Sequence, residues 1–161
     1  VFMSDKEQKG IPWEQQRELL ITMNALKLPL LHQNLIETYG EKKGNEIYEE
    51  VFETNYKKRS KQFEGNDFGD IMIAEVNMFP AMGWELWIEK KEENNEPVWY
   101  EHLSKCPHLD ATRKRNLPLP CGIICDMDVK MATKHKLGSW KRLKHMPSGD
   151  SECLFEIRRY K

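Results

Sequence analysis

The sequence predicts an α+β fold, with helices first and an antiparallel sheet after them, and three observations carry that prediction. Apolar residues recur at three- and four-residue spacing through the first third of the chain. Near Trp84 that period gives way to alternation. Two turn-forming stretches, Asn94-Asn95 and Pro147-Ser148-Gly149-Asp150, then divide the alternating segments into hairpins. The expected sheet has about four strands, built from two hairpins with helices between them.

Taken in order, residues 1–12 read as a loose arm ending in Gly10, Ile11 and Pro12. From Trp13 the spacing of Leu19, Leu20, Met23, Leu26 and Leu30 predicts a helix. Pro29 lacks an N–H and should interrupt or kink it, leaving a short second helix from Leu31 to Tyr39 that stops at Gly40. A third helix, about Glu41 to Gln62, has Ile47 and Val51 on its apolar stripe, with Tyr48 and Phe52 beside them. The basic run Lys57, Lys58, Arg59 and Lys61 reads as a solvated helix end that complements the dipole.

Gly65 to Gly69 mark a loop, and Asp70 to Phe79 predict a short helix before Pro80. Trp84, Leu86 and Ile88 then alternate with Glu85, Trp87 and Glu89, and Val98 to Ser104 make the return strand. Pro107 and His108 start a helix ending near Asn116. After the Pro118–Pro120 loop, Cys121 to Lys136 form another, closed by Gly138. Trp140 to His145 and Cys153 to Tyr160 pair as the last hairpin. The chain reads as a single domain over 1–161, with a helical part over 13–65 and an α+β part over 66–161 that carries the cysteines.

Composition narrows the function. With 25 Lys+Arg against 26 Asp+Glu the net charge is -1, so no basic field attracts nucleic acid. No apolar stretch approaches the ~18 residues of a membrane span. No charged segment followed by an apolar one opens the chain as a secretory signal would. A cytoplasmic protein that binds neither nucleic acid nor a membrane is therefore expected, with a homo-oligomer left open. In that setting Cys106, Cys121, Cys125 and Cys153 are thiols or metal ligands rather than disulfides.

The chemistry-bearing residues gather in the second half. Cys153, Phe155 and Ile157 share a strand face, so Cys153 should point inward where that strand starts. The Gly149-Asp150 turn can set His145 near Cys153 across the hairpin mouth. In Cys121-Gly-Ile-Ile-Cys125-Asp-Met-Asp128, helical spacing puts both cysteines on one face and Asp128 beside Cys125. A thiolate can be a nucleophile, and thiolate with carboxylate can bind zinc. Cys106 lies where a strand ends, preceded by Glu101 and His102 on opposite faces. Either of those two can be a ligand or an acid/base group, although both residue types are more often solvated.

Three elements in their order resemble the L-2-amino-thiazoline-4-carboxylic acid hydrolase family: the Ser104-Lys105-Cys106 strand end, Cys125-Asp-Met-Asp128, and Ser148-Gly149-Asp150-Ser151-Glu152-Cys153-Leu154-Phe155. The similarity covers roughly residues 30–161, and before residue 100 it is unspecific. It implies a hydrolase that opens a cyclic amidine, with Cys106, Cys125, Asp128 and His145 as catalytic residues and Gly149 and Asp150 at the substrate. Cys125 or Cys106 would attack the amidine carbon, or a metal would activate water there, with Asp128 or His145 moving protons. The ending is also similar to vinyl-reductase-type small-ligand-binding domains, some of which hold structural zinc through cysteines and a glutamate. That likeness makes the cofactor none or zinc, with Cys125, Cys153, His145 and Glu101 as its ligands, and it supplies the alternative of a non-enzymatic sensor. Two departures are visible. His145 stands where a further cysteine is expected, and Cys121 is an addition.

Overall fold

A computed structural model describes residues 10–61 and 68–159. Helix α1 spans Trp13–Tyr39, α2 Glu41–Ser60 and α3 Phe68–Met78, the last followed by a 3-10 turn over Phe79–Met82. Strands β1 (Glu85–Glu93) and β2 (Glu96–Lys105) form the first hairpin. Then come α4 (Pro107–Lys114), α5 (Cys125–Lys134), β3 (Gly138–Lys144) and β4 (Cys153–Arg159). The four strands make one antiparallel sheet in the order β1-β2-β4-β3, so the expected α+β class and strand number hold. Asn94 and Asn95 both take positive φ, 53° and 63°, which closes the first hairpin in two residues.

The loose arm before Gly10, the loop residues 65–67, Gln62 and Tyr160 lie outside the described residues. Elsewhere three local expectations change. Pro29 does not end the first helix, because α1 runs on for ten residues past it. The segment after Pro120 begins in turns, and α5 starts only at Cys125. Gly138 opens β3 rather than closing the helix, which ends in left-handed Lys136 at φ 55°.

Register fixes what the sheet presents to the helices. Ile88, Glu101, Phe155 and Arg142 line up across the four strands on one face. Leu86, Leu103 and Cys153 form the adjacent row toward the Cys106 end. Met72 and Ile71 of α3, and Cys125 and Val129 of α5, pack on this face with Trp99, Leu103, Phe155 and Ile157. Behind α5, the Tyr56 and Phe52 side of α2 meets Met131, Ala132 and Met127. So α2 buries Tyr48 and Tyr56 along one helical stripe, while Val51 is exposed. Helices α1 and α2 form a close hairpin. A Cβ on Gly44 would lie 2.8 Å from backbone atoms of Leu35 and Ile36, so only glycine permits this approach.

On α1 the buried residues are Ala25, Leu26 and Pro29. Leu19, Leu20, Met23 and Leu30, from the stripe that marks this helix in the sequence, point outward.

Candidate active site

At the end of the sheet where β2 leaves and β4 enters, the four thiols come together from four segments. Cys106 follows β2 and caps the N-terminus of α4. Cys153 opens β4 opposite Leu103, three residues from Cys106 on the paired strand. Cys125 is the first residue of α5, and Cys121 lies in the turn before it. None of the four is in a disulfide. Each is partly buried, and Cys125 and Cys153 pack on the main core.

Their electrostatics record the same proximity. Burial pushes the Cys106 thiol up to about 11, and Cys121 and Cys153 push the same way. The backbone N–H groups of Leu109 and His108, in the first turn of α4, oppose it. Burial drives the Cys125 thiol further up, with Cys106, Cys121 and Asp128 adding and Arg142 opposing. Cys121 is raised by burial, against the pull of Arg142.

The same covered sheet face carries a buried carboxyl group. Glu101 is 7 % exposed, in the middle of a sheet row whose neighbours are Ile88 and Phe155. Burial, then Glu75 of α3 and Asp128 of α5, hold its carboxyl well above the ordinary range. These surroundings favour its protonated form. The solvated reading of Glu101 is overturned, because β2 is an inner strand and this face is the covered one. Tyr48 of α2 stands near Asp128, and its hydroxyl donates to the Ile123 carbonyl at 2.9 Å. The Tyr48 phenol is held neutral by burial first and by Asp128 second.

Arg142 of β3 lies over the Phe155 ring at 5.4 Å and pairs with Asp126 of α5. Its Nε is buried with no hydrogen-bond partner among the described residues. His145, beyond the end of β3, is held below the ordinary histidine range by burial and by Arg142. Its backbone N–H donates to Asp150 Oδ2 at 2.7 Å, and its ring Nδ1 is 2.9 Å from Ser148 Oγ. Within the same turn the Met146 N–H donates to Cys153 Sγ at 3.4 Å. The turn therefore brings residues 145–146 to Cys153, as the hairpin spacing anticipates. Gly149, at φ 105°, supplies the left-handed residue that the turn requires, and Asp150 caps it from an exposed position.

His102 is not at this site. It points to the other sheet face, stacked on Trp87 at 3.6 Å and 2.9 Å from Glu152, which also holds Lys144. An open groove of about 580 Å³ lies beyond Pro107, against α1 and α4, and includes Arg17, Glu18, Lys105, Asp110 and Lys114. No cysteine lines it.

Sequence reasoning missed Arg142, Glu75 and Tyr48. The signal for Arg142 was present, because Trp140 and Arg142 alternate with Lys141 and so share the inward face. Glu75 follows Met72 and Ile71 at helical spacing.

The fold is an α+β domain with four thiols gathered at one end of an antiparallel sheet. The chain belongs to the L-2-amino-thiazoline-4-carboxylic acid hydrolase family, whose profile matches residues 21–157 and so takes in every site residue above. No curated protein matches the chain.

Proposed function

We propose that the protein is a hydrolase that opens a small cyclic amidine carrying a carboxylate, such as a 2-amino-thiazoline carboxylate. The observation that supports this most is the gathering of Cys106, Asp128 and Arg142 around Cys125, with Asp128 also facing the buried Glu101. The family's name supplies the substrate class.

In this reading Cys106 is the nucleophile, because the Leu109 and His108 amides in the first turn of α4 favour its thiolate. Its sulfur adds to the amidine carbon between the ring sulfur and nitrogen, and the thiol proton passes to the ring nitrogen. The ring C–N bond then breaks, and the nitrogen leaves with a second proton from Glu101, passed through Asp128. Water adds to the same carbon, its first proton restoring Glu101 through Asp128 and its second leaving with the displaced Cys106 thiol, so one water is consumed and the enzyme returns to its starting state. Arg142 holds the substrate carboxylate, exchanging its exposed partner Asp126 for it. Cys125 lines the pocket, and His145 assists proton transfer at the rim.

Zinc held by Cys125 and Cys153 is the metal-assisted variant, and thiolates are donors that zinc takes. Among the described residues no three His, Cys, Asp or Glu side chains are arranged to hold one ion. No step above is routed through zinc.

The second reading, a non-enzymatic ligand-binding domain, is favoured by the burial that keeps Cys106 and Cys125 protonated. One experiment separates the two: hydrolysis of 2-amino-thiazoline-4-carboxylate by wild type, Cys106→Ser, Cys125→Ser and Asp128→Asn, with a thermal melt of each. The enzymatic reading expects turnover by wild type and its loss in a folded Cys106→Ser. Folded wild type that binds but does not turn over cyclic amidines would establish the sensor.

A further inference from the structure

We infer that the exposed face of α1 is a self-association surface on which a second copy of this chain packs, with the two α1 helices antiparallel. Besides Tyr39 at its end, six large apolar residues, Trp13, Leu19, Leu20, Met23, Leu30 and Leu31, are exposed on this one helix. Trp13 is 64 %, Leu20 59 % and Met23 57 % exposed. At 100° per residue they fall within about a third of the helix circumference, opposite buried Ala25. Monomeric surfaces rarely carry so many large apolar side chains on one helix face.

The pattern along the strip selects the occupant. Trp13, Gln16, Leu20, Met23, Lys27 and Leu30 follow alternating steps of three and four, the spacing of a helix–helix seam. Two of these seam positions are polar, which a surface meant for lipid or for an unrelated apolar groove would not need. A two-fold axis between residues 21 and 22 places Trp13 against the partner's Leu30, Leu20 against the partner's Met23, and Gln16 against the partner's Lys27. Apolar then meets apolar and polar meets polar at every layer, reciprocally, as an isologous contact requires. The Lys27 ammonium reaches the Gln16 side-chain carbonyl along its own apolar stem. Shifting the axis by one heptad opposes Lys27 to Met23 instead. The seam also explains why most of a stripe so clear in the sequence, all but Leu26, faces away from the core.

The test is the mass in solution, by sedimentation equilibrium from about 1 to 100 µM. Wild type should give twice the 19.1 kDa chain mass at the upper end. Leu20→Glu with Met23→Glu should give the monomer at all concentrations, with an unchanged circular dichroism spectrum, because both side chains are exposed. Gln16→Lys, placing like charges opposite Lys27, should weaken the dimer tenfold or more, and Gln16→Glu should tighten it. A wild type that stays monomeric at 100 µM overturns the proposal, including one that then sediments with phosphatidylserine vesicles. A dimer indifferent to Leu20, Met23 and Gln16 overturns it too. None of these outcomes depends on the hydrolase reading.

Discussion

His108 Nδ1 donates a hydrogen bond to the Ala25 carbonyl oxygen at 2.6 Å, and Ala25 is the residue four before Pro29. In an uninterrupted helix that carbonyl would accept from the amide of residue 29. Proline has none, and its ring crowds the carbonyl. The imidazole of α4 supplies the missing donor, in a buried environment where an unpaired carbonyl is costly. This is why α1 continues past Pro29, and it ties α4, and with it the Cys106 cap, to the helical layer.

Replacing His108 with alanine should therefore cost about 1–3 kcal/mol, the desolvation penalty of an orphaned buried carbonyl. The His108→Ala Pro29→Ala double variant should recover part of that loss, because residue 29 regains its amide. Urea unfolding of the three variants measures both. Additive losses would mean that the two residues are not coupled. The pH dependence has a definite sign. Burial lowers the folded histidine below its ordinary value, outweighing the Ala25 bond, which raises it. The neutral ring thus contributes stability above the unfolded value of about 6.5, and this is lost as pH falls through the lowered folded value.

Glu101 predicts the opposite slope. Its folded carboxyl is raised by burial, then by Glu75 and Asp128. Its contribution is full below the unfolded carboxylate value and is lost as pH rises through the folded one. Glu101→Gln keeps the shape without the ionisation, so its stability relative to wild type should rise between pH 5 and 8. Each tenfold difference in proton affinity between the folded and unfolded chain is worth about 1.4 kcal/mol, and the rise should reach at least that. Parallel denaturation curves at the two pH values would show that Glu101 is not held protonated. In the activity assay the same variant should lose most turnover, because its amide has no acidic proton to give.

Arg142→Gln should raise KM for 2-amino-thiazoline-4-carboxylate tenfold or more, since a charge-assisted contact to the carboxylate is lost. For the decarboxylated ring, 2-amino-thiazoline, KM should change little. Steady-state kinetics on the pair of substrates decides it. An equal effect on both would make Arg142 a structural partner of Asp126 and Phe155 only.

How much of this could be read without coordinates depends on range. Alternation at Trp84–Glu89 and Cys153–Ile157 is local, and it gave the strands and the inward face of Cys153 correctly. Helix type in residues 13–60 was equally local. Pro29 misled because its remedy, His108, lies far along the chain. Glu101 was read as solvated because a lone carboxylate gives no sign that its strand will be an inner one. The side chains that complete the site, Arg142, Glu75 and Tyr48, arrive from β3, α3 and α2, and only the sheet order β1-β2-β4-β3 brings them together.

The choice of nucleophile carries a prediction about reactivity. With its thiol pushed up to about 11 by burial, Cys106 is almost wholly protonated at neutral pH. Only the thiolate attacks carbon electrophiles. Iodoacetamide should therefore label Cys106 roughly tenfold faster per pH unit between 7 and 10, where a free cysteine levels off beyond about 8.5. Cys125, driven higher still, should label more slowly than Cys106 at every pH, and peptide mass spectrometry resolves the two sites. Turnover should climb over the same range if Cys106 attacks from its resting state, and it should vanish in Cys106→Ser while the melt stays within a few degrees of wild type. Cys125→Ser should keep measurable turnover. If Cys125 labels first, or if Cys125→Ser is folded and dead while Cys106→Ser is active, the nucleophile is Cys125, and the helix N-terminus of α4 has no part in activating it.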